Sequence, residues 1–135
     1  TFTVCPPQLG QYAANWGLLN LESWISDRRI EILERAKHFS KKFETLNEAG
    51  WSLRGCGAYF AFVNHPFKTG SETLAPLILR DQGILLMPGT MFYPKYDPNG
   101  SATFRIAFAN IDKGKITTLL ERLENLSYQL SDQKI

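Results

Sequence analysis

The segment from Glu22 to Ala49 constrains the fold more than any other, because its apolar residues Ile32, Ala36, Phe39, Phe43 and Leu46 recur at alternating steps of four and three. That spacing gathers them into one stripe of an α-helix. Gly50 stands where a C-cap glycine would end the helix. The other positions are largely charged, and in DRRIEILERAK a pair such as Glu31 and Arg35 is spaced for helical ion pairing along a solvated face. The segment is therefore a charged rod with one buried stripe.

Before it, CPPQLGQYAANWGLL reads as another helix, started by the paired prolines Pro6 and Pro7 and weakened by Gly10 and Gly17. After it, LRGCGAYFAFV holds aromatic and small residues, is too short for a helix and ends at the turn signal NHP, so it reads as a strand. SETLAPLILRDQG reads as a helix capped by Ser71 and ended by Gly83, with Pro76 forcing a late start or a kink. ILLM is a short strand, PG a turn, and TFRIAFA a strand beyond the polar loop KYDPNGS. Asp112 can cap a last helix in which Ile116, Leu119, Leu120, Leu123 and Leu126 mark one face. This order predicts an α+β fold, a small sheet of about three to four strands covered by helices and preceded by a long connecting helix.

The chain has 135 residues, 44% of them hydrophobic, which suits one compact domain. Its 15 Lys+Arg against 13 Asp+Glu leave a net charge of +2, scattered without a stripe, so no nucleic-acid partner is expected. The longest apolar run, AYFAFV, falls well short of the roughly 18 residues of a membrane helix, so no membrane partner is expected either. No basic-then-apolar leader follows Thr1, and a soluble cytoplasmic protein is expected. Cys5 and Cys56 lie far apart without metal-ligand spacing; they read as buried or idle thiols, and no metal is expected. His38, on a charged helix, and His65, in a turn, read as surface residues.

FRIAFAN carries the residue with the most chemistry. Alternation puts Phe104, Ile106 and Phe108 on one face of a strand and Arg105, Ala107 and Ala109 on the other. One reading is an edge-strand arginine reaching water or a helix carboxylate. The other is a planar, permanently charged fork held for a carboxylate ligand.

Four pieces in order, VCPPQLGQYAA, GAYFAFV, GILLMPGTMF and FRIAFA, with helices between them, resemble the C-terminal part of the class I/II aminotransferases, the pyridoxal-phosphate enzymes of fold type I. The resemblance covers nearly the whole chain. It implies that residues 1–20 are the tail end of the large cofactor-binding domain, 21–50 the connecting helix and 51–135 the small domain. It further implies that Arg105 grips the α-carboxylate of an amino-acid substrate, with Gly57 and Tyr59 bordering the site. Tyr59 reads equally well as a core or rim aromatic. Pro88, Gly89 and Phe92 match a turn that shapes the site wall, a structural role first. Val4 and Cys5 fall where family members reach across a homodimer interface, although a helix start with two prolines explains them as well. Cys5 stands where asparagine is common, which puts any polar contact there in doubt.

The family's lysine, which bonds the cofactor, has no counterpart: the lysines here lie on charged helices or polar loops. The implied parent binds pyridoxal 5'-phosphate and exchanges an amino group between an amino acid and a 2-oxo acid, and it needs an N-terminal large domain. This chain alone is expected to hold no catalytic residue, to bind no cofactor and to be inactive. The same resemblance fits a carbon–sulfur lyase, a decarboxylase or a cyclopropane-carboxylate synthase, and the residues also admit a stand-alone, non-catalytic binding module of this fold.

Overall fold

Pro7 stands at the N-cap of helix α1 (Gln8–Asn20), and after a break at Leu21 helix α2 (Glu22–Glu48) follows. The computed structural model describes residues 7–129, so Val4 and Cys5 lie outside the described residues. The chain divides into two compact units, Thr1–Glu31 and Ile32–Ile135. In the first unit no residue of α1 is buried: Leu9, Tyr12, Trp16, Leu18 and Leu19 are all exposed.

The second unit is built on the expected stripe. Phe39, Phe43 and Leu46 of α2 are buried, and Ala36 packs against the same core. Gly50, at φ 92°, turns the chain out of the helix. Two strands follow, β1 (Ser52–Gly57) and β2 (Phe60–Asn64), and then helix α3 (Ser71–Gln82). Strand β3 (Met87–Pro88) leads into a 3-10 turn at Gly89–Met91, a short helix α4 (Pro98–Ser101), strand β4 (Thr103–Ala107) and helix α5 (Lys113–Gln129). The four strands form one antiparallel sheet in the order β1-β2-β4-β3. Ala61, Val63, Phe104 and Ile106 on its inner face join Leu74 and Ile78 of α3 and Ile116, Leu120, Leu123 and Leu126 of α5 in one core. Each fully buried leucine, isoleucine or phenylalanine contributes about 1.5–3 kcal/mol. The fold class is α+β with helices on one face of a small sheet, as predicted.

Local details differ from the sequence reading. LRGCGAYFAFV is a hairpin and not one strand: Gly57 pairs with Phe60 across Ala58 and Tyr59. Ala58 takes φ 47°, a conformation usually given to glycine, asparagine or aspartate, so the residues carried no turn signal. Ser71 does not cap α3. Gly70 holds that position, and the buried Ser71 hydroxyl donates to the Gly100 carbonyl at 3.0 Å. Pro76 lies within α3, and Gly83 ends it at φ 65° as expected. ILLM keeps strand alternation, with Ile84 and Leu86 buried and Leu85 exposed, but it pairs with β4 only from Met87 onward. Asp112 caps α5 through the Lys115 N–H at 2.8 Å.

Candidate functional site

β4 lies between β2 and β3, so Arg105 is not on an edge strand and its backbone is paired on both sides, with Phe62 and with Met87. Its neighbours Phe104 and Ile106 are buried, which sends Arg105 to the face of the sheet without helices. There its guanidinium carbon stands 4.2 Å from the centroid of the Phe60 ring and 4.5 Å from that of Phe92. Its Nε is buried without a hydrogen-bond partner, and among the described residues no carboxylate pairs with it. Burying part of a cation without an anion is unfavourable, and a ligand carboxylate would relieve the cost.

Of the residues singled out in the sequence, Phe92 meets Arg105 directly. Its ring also meets Phe62 edge-on, centroids 5.6 Å apart. Pro88 pairs with Phe104 beside Arg105, and Gly89 opens the turn that carries Phe92. A Cβ on Gly89 would come within 2.6 Å of the Gly100 carbonyl oxygen, so backbone packing demands this glycine. Tyr59 is exposed, packs edge-on to Phe60 and lines a shallow cleft of about 340 Å³ with Ile32, Phe60, Ala107, Ala109 and Asn110. Gly57 faces the same way as Phe60, one strand over, with open space where a Cβ would stand. Sequence reasoning missed Phe60 and Phe62. Their alternation with Ala61 and Val63 was the available signal, hidden while the hairpin was read as one strand.

Both histidines depart from the surface reading. His65 is buried; the Phe67 N–H donates to its Nδ1 at 3.3 Å, which leaves Nε2–H to donate to the Ser101 carbonyl at 2.9 Å. Burial holds its pKa below the ordinary imidazole value, against the opposing pull of that carbonyl. His38 is half-buried and shares a hydrogen bond with Thr117 at 2.9 Å. On the charged part of α2, Arg28 pairs with Glu31, and Arg35 donates to the Ala109 carbonyl. Cys56 is a free, half-buried thiol whose pKa burial raises, against a weaker Ser40 hydrogen bond. Among the described residues no group of three His, Cys, Asp or Glu could hold a metal, and no helix is long and apolar enough to cross a membrane.

A small four-stranded antiparallel sheet with helices on one face is the architecture of a domain of the fold type I pyridoxal-phosphate enzymes. The chain belongs to the class I and II aminotransferase family, whose model matches residues 1–123. The aromatic aminotransferase from Pyrococcus horikoshii OT3 has a TM-score of 0.74 and 27% identity, over 94% of this chain and 33% of its own. An aminotransferase from Mycobacterium tuberculosis has a TM-score of 0.73 and 26% identity, over 95% and 32%. LysN, the α-aminoadipate aminotransferase from Thermus thermophilus, solved with N-(5'-phosphopyridoxyl)-L-leucine, shares the fold at a TM-score of 0.62 and 21% identity, over 77% and 26%. A search of curated protein sequences finds no match. The chain spans about a third or less of the length of these solved structures.

Toward a bound pyridoxal phosphate, the outward face of the sheet offers no candidate Schiff-base residue. No outward position of the four strands is a lysine. Of the described lysines, Lys113 is tied to Glu34 at 2.8 Å, holding that carboxyl below the usual range, and Lys115 stands 4.0 Å from Asp112.

Proposed function

We propose that this chain is the C-terminal part of a pyridoxal-phosphate-dependent aminotransferase and that Arg105 holds the α-carboxylate of its amino-acid and 2-oxo-acid substrates. Residues 1–20 would complete the large domain, 21–50 form the connecting helix and 51–135 the small domain that closes over the site. The observation that carries the reading is Arg105 itself: a cation on the open face of the sheet, with a buried, unpartnered Nε and no carboxylate paired with it among the described residues. Family membership and the third-length match to solved aminotransferases support a missing N-terminal domain. The exposed leucines and aromatics of α1 support it too, since such apolar surface favours a partner.

Pyridoxal phosphate, held by the missing domain, would supply the electron sink for breaking the bond from Cα to hydrogen. Arg105 would bind the carboxylate through a charge-assisted fork and so fix the direction of that bond, an orientation that forms a large part of the rate. Gly57 and Tyr59 would border the substrate, Pro88, Gly89 and Phe92 would shape its wall, and Val4 and Cys5 would face the second subunit of a homodimer. The chain alone would be inactive. The test is Arg105→Ala in the full-length protein. Losing a charge-assisted pair of about 3 kcal/mol should lower kcat/KM about 100-fold for every substrate with an α-carboxylate, with KM raised. Unchanged kinetics would reject the assignment.

A further inference from the structure

We infer that Phe60 and Phe92 are positioning residues that clamp Arg105 from both sides, so that the guanidinium can offer a carboxylate only its edge; the inference rests on the carboxylate reading above. A guanidinium is flat, with two faces and a rim of N–H donors. The rings of Phe60 and Phe92 stand over it at 4.2 and 4.5 Å, within the range of favourable cation–π contact. The Nε part of the rim is buried and unpartnered, which leaves the Nη groups to meet a ligand.

The clamp is assembled from separate parts of the fold. Phe60 comes from β2, where it pairs with Ala107, two residues along β4 from Arg105 on the same face. Phe92 follows the 3-10 turn, its N–H donating to the Gly89 carbonyl at 2.8 Å. It is braced by Phe62, the residue that pairs with Arg105 itself. An unrestrained arginine side chain must lose much rotamer freedom when it grips a ligand. A side chain already held between two rings has lost it before the ligand arrives, and pre-organisation of this kind raises affinity. Phe60 is 37% and Phe92 42% exposed, so neither is a member of the core, and replacing either with leucine does not hollow the domain.

The experiment uses this chain labelled with 15N and follows the Arg105 Nε–H resonance, assigned by its loss in Arg105→Lys, during titration with acetate at constant ionic strength maintained with chloride. In the unchanged chain the resonance should be displaced by the ring currents of the two phenylalanines and should move on adding acetate. In Phe60→Leu and in Phe92→Leu the displacement should shrink and acetate should bind about threefold to tenfold more weakly, a loss that Phe92→Tyr should avoid. Undiminished affinity in both leucine variants would overturn the clamp and leave the carboxylate reading intact. An Arg105 resonance indifferent to acetate in the unchanged chain would overturn the carboxylate reading, and the clamp with it. Should Phe60→Leu disturb the sheet, seen as collapse of amide dispersion, Phe92→Leu decides by itself, because Phe92 lies outside every strand.

Discussion

Gly89→Ala isolates the packing that carries Phe92 to Arg105. A Cβ there would stand 2.6 Å from the Gly100 carbonyl oxygen, 2.8 Å from that of Thr103 and 2.9 Å from the Thr103 Cβ. Two of these three atoms are backbone, fixed by α4 and β4, so neither can swing aside as the tip of a long side chain would. Forcing one carbon into a packed site costs about 1–3 kcal/mol. The lower entropy of unfolded alanine offsets about 0.4–1 kcal/mol of that. A net loss of about 1–2 kcal/mol should lower Tm by roughly 4–10 °C in a domain of this size. The Gly89 carbonyl also accepts from the N–H groups of Phe92 and Tyr93, at 2.8 and 3.1 Å, so the displacement should reach the aromatic ring beside Arg105. Thermal unfolding followed by circular dichroism measures the loss, with Gly55→Ala as control, since no atom lies within 4 Å of a Cβ there. Equal Tm values for the two variants would refute the argument.

Ser127→Ala should cost about 1–3 kcal/mol, read as a lower urea midpoint, because it leaves the buried Trp51 Nε1–H, now 2.5 Å from the serine oxygen, without an acceptor; an unchanged midpoint would count against it. His65 makes stability depend on pH. Its folded pKa lies below the unfolded value of about 6.5, so the unfolded state takes the proton first; stability is full above about pH 6.5 and declines as the pH falls from there through the folded value. His65→Gln should flatten the fall in Tm between about pH 7 and 5, and identical slopes would remove His65 as its source. Incubation of the chain with pyridoxal phosphate, followed by borohydride reduction and peptide mass mapping, should give no label or a thin spread over exposed lysines such as Lys41, Lys42 and Lys68. Stoichiometric labelling of one lysine would show a cofactor site within the chain.

What the residues declare by themselves is whatever depends on period. The steps of four and three through Ile32, Ala36, Phe39, Phe43 and Leu46, and the matching stripe on α5, required helices with one buried face, and the structure packs those faces into the core from Ala36 onward, leaving Ile32 half-buried at a surface cleft. The step of two in FRIAFA likewise put Arg105 opposite Phe104 and Ile106, since side-chain direction in a strand follows from local backbone geometry alone. Family resemblance was legible for the same reason, as ordered short motifs along the chain. Contacts between distant segments were not. The β1–β2 hairpin turns on Ala58 at φ 47°, a conformation its side chain does not announce, and with the turn unseen the alternation of Phe60 and Phe62 had no face assigned to it. His65 read as a surface turn residue because nothing nearby in sequence reveals Ser101 and Trp51 packed against it. The sequence therefore determined that Arg105 would stand on the strand face opposite Phe104 and Ile106. Only the tertiary structure decided that this face would be free of helices and that the rings of Phe60 and Phe92 would stand beside the guanidinium, because strand pairing and packing join residues that no local period connects.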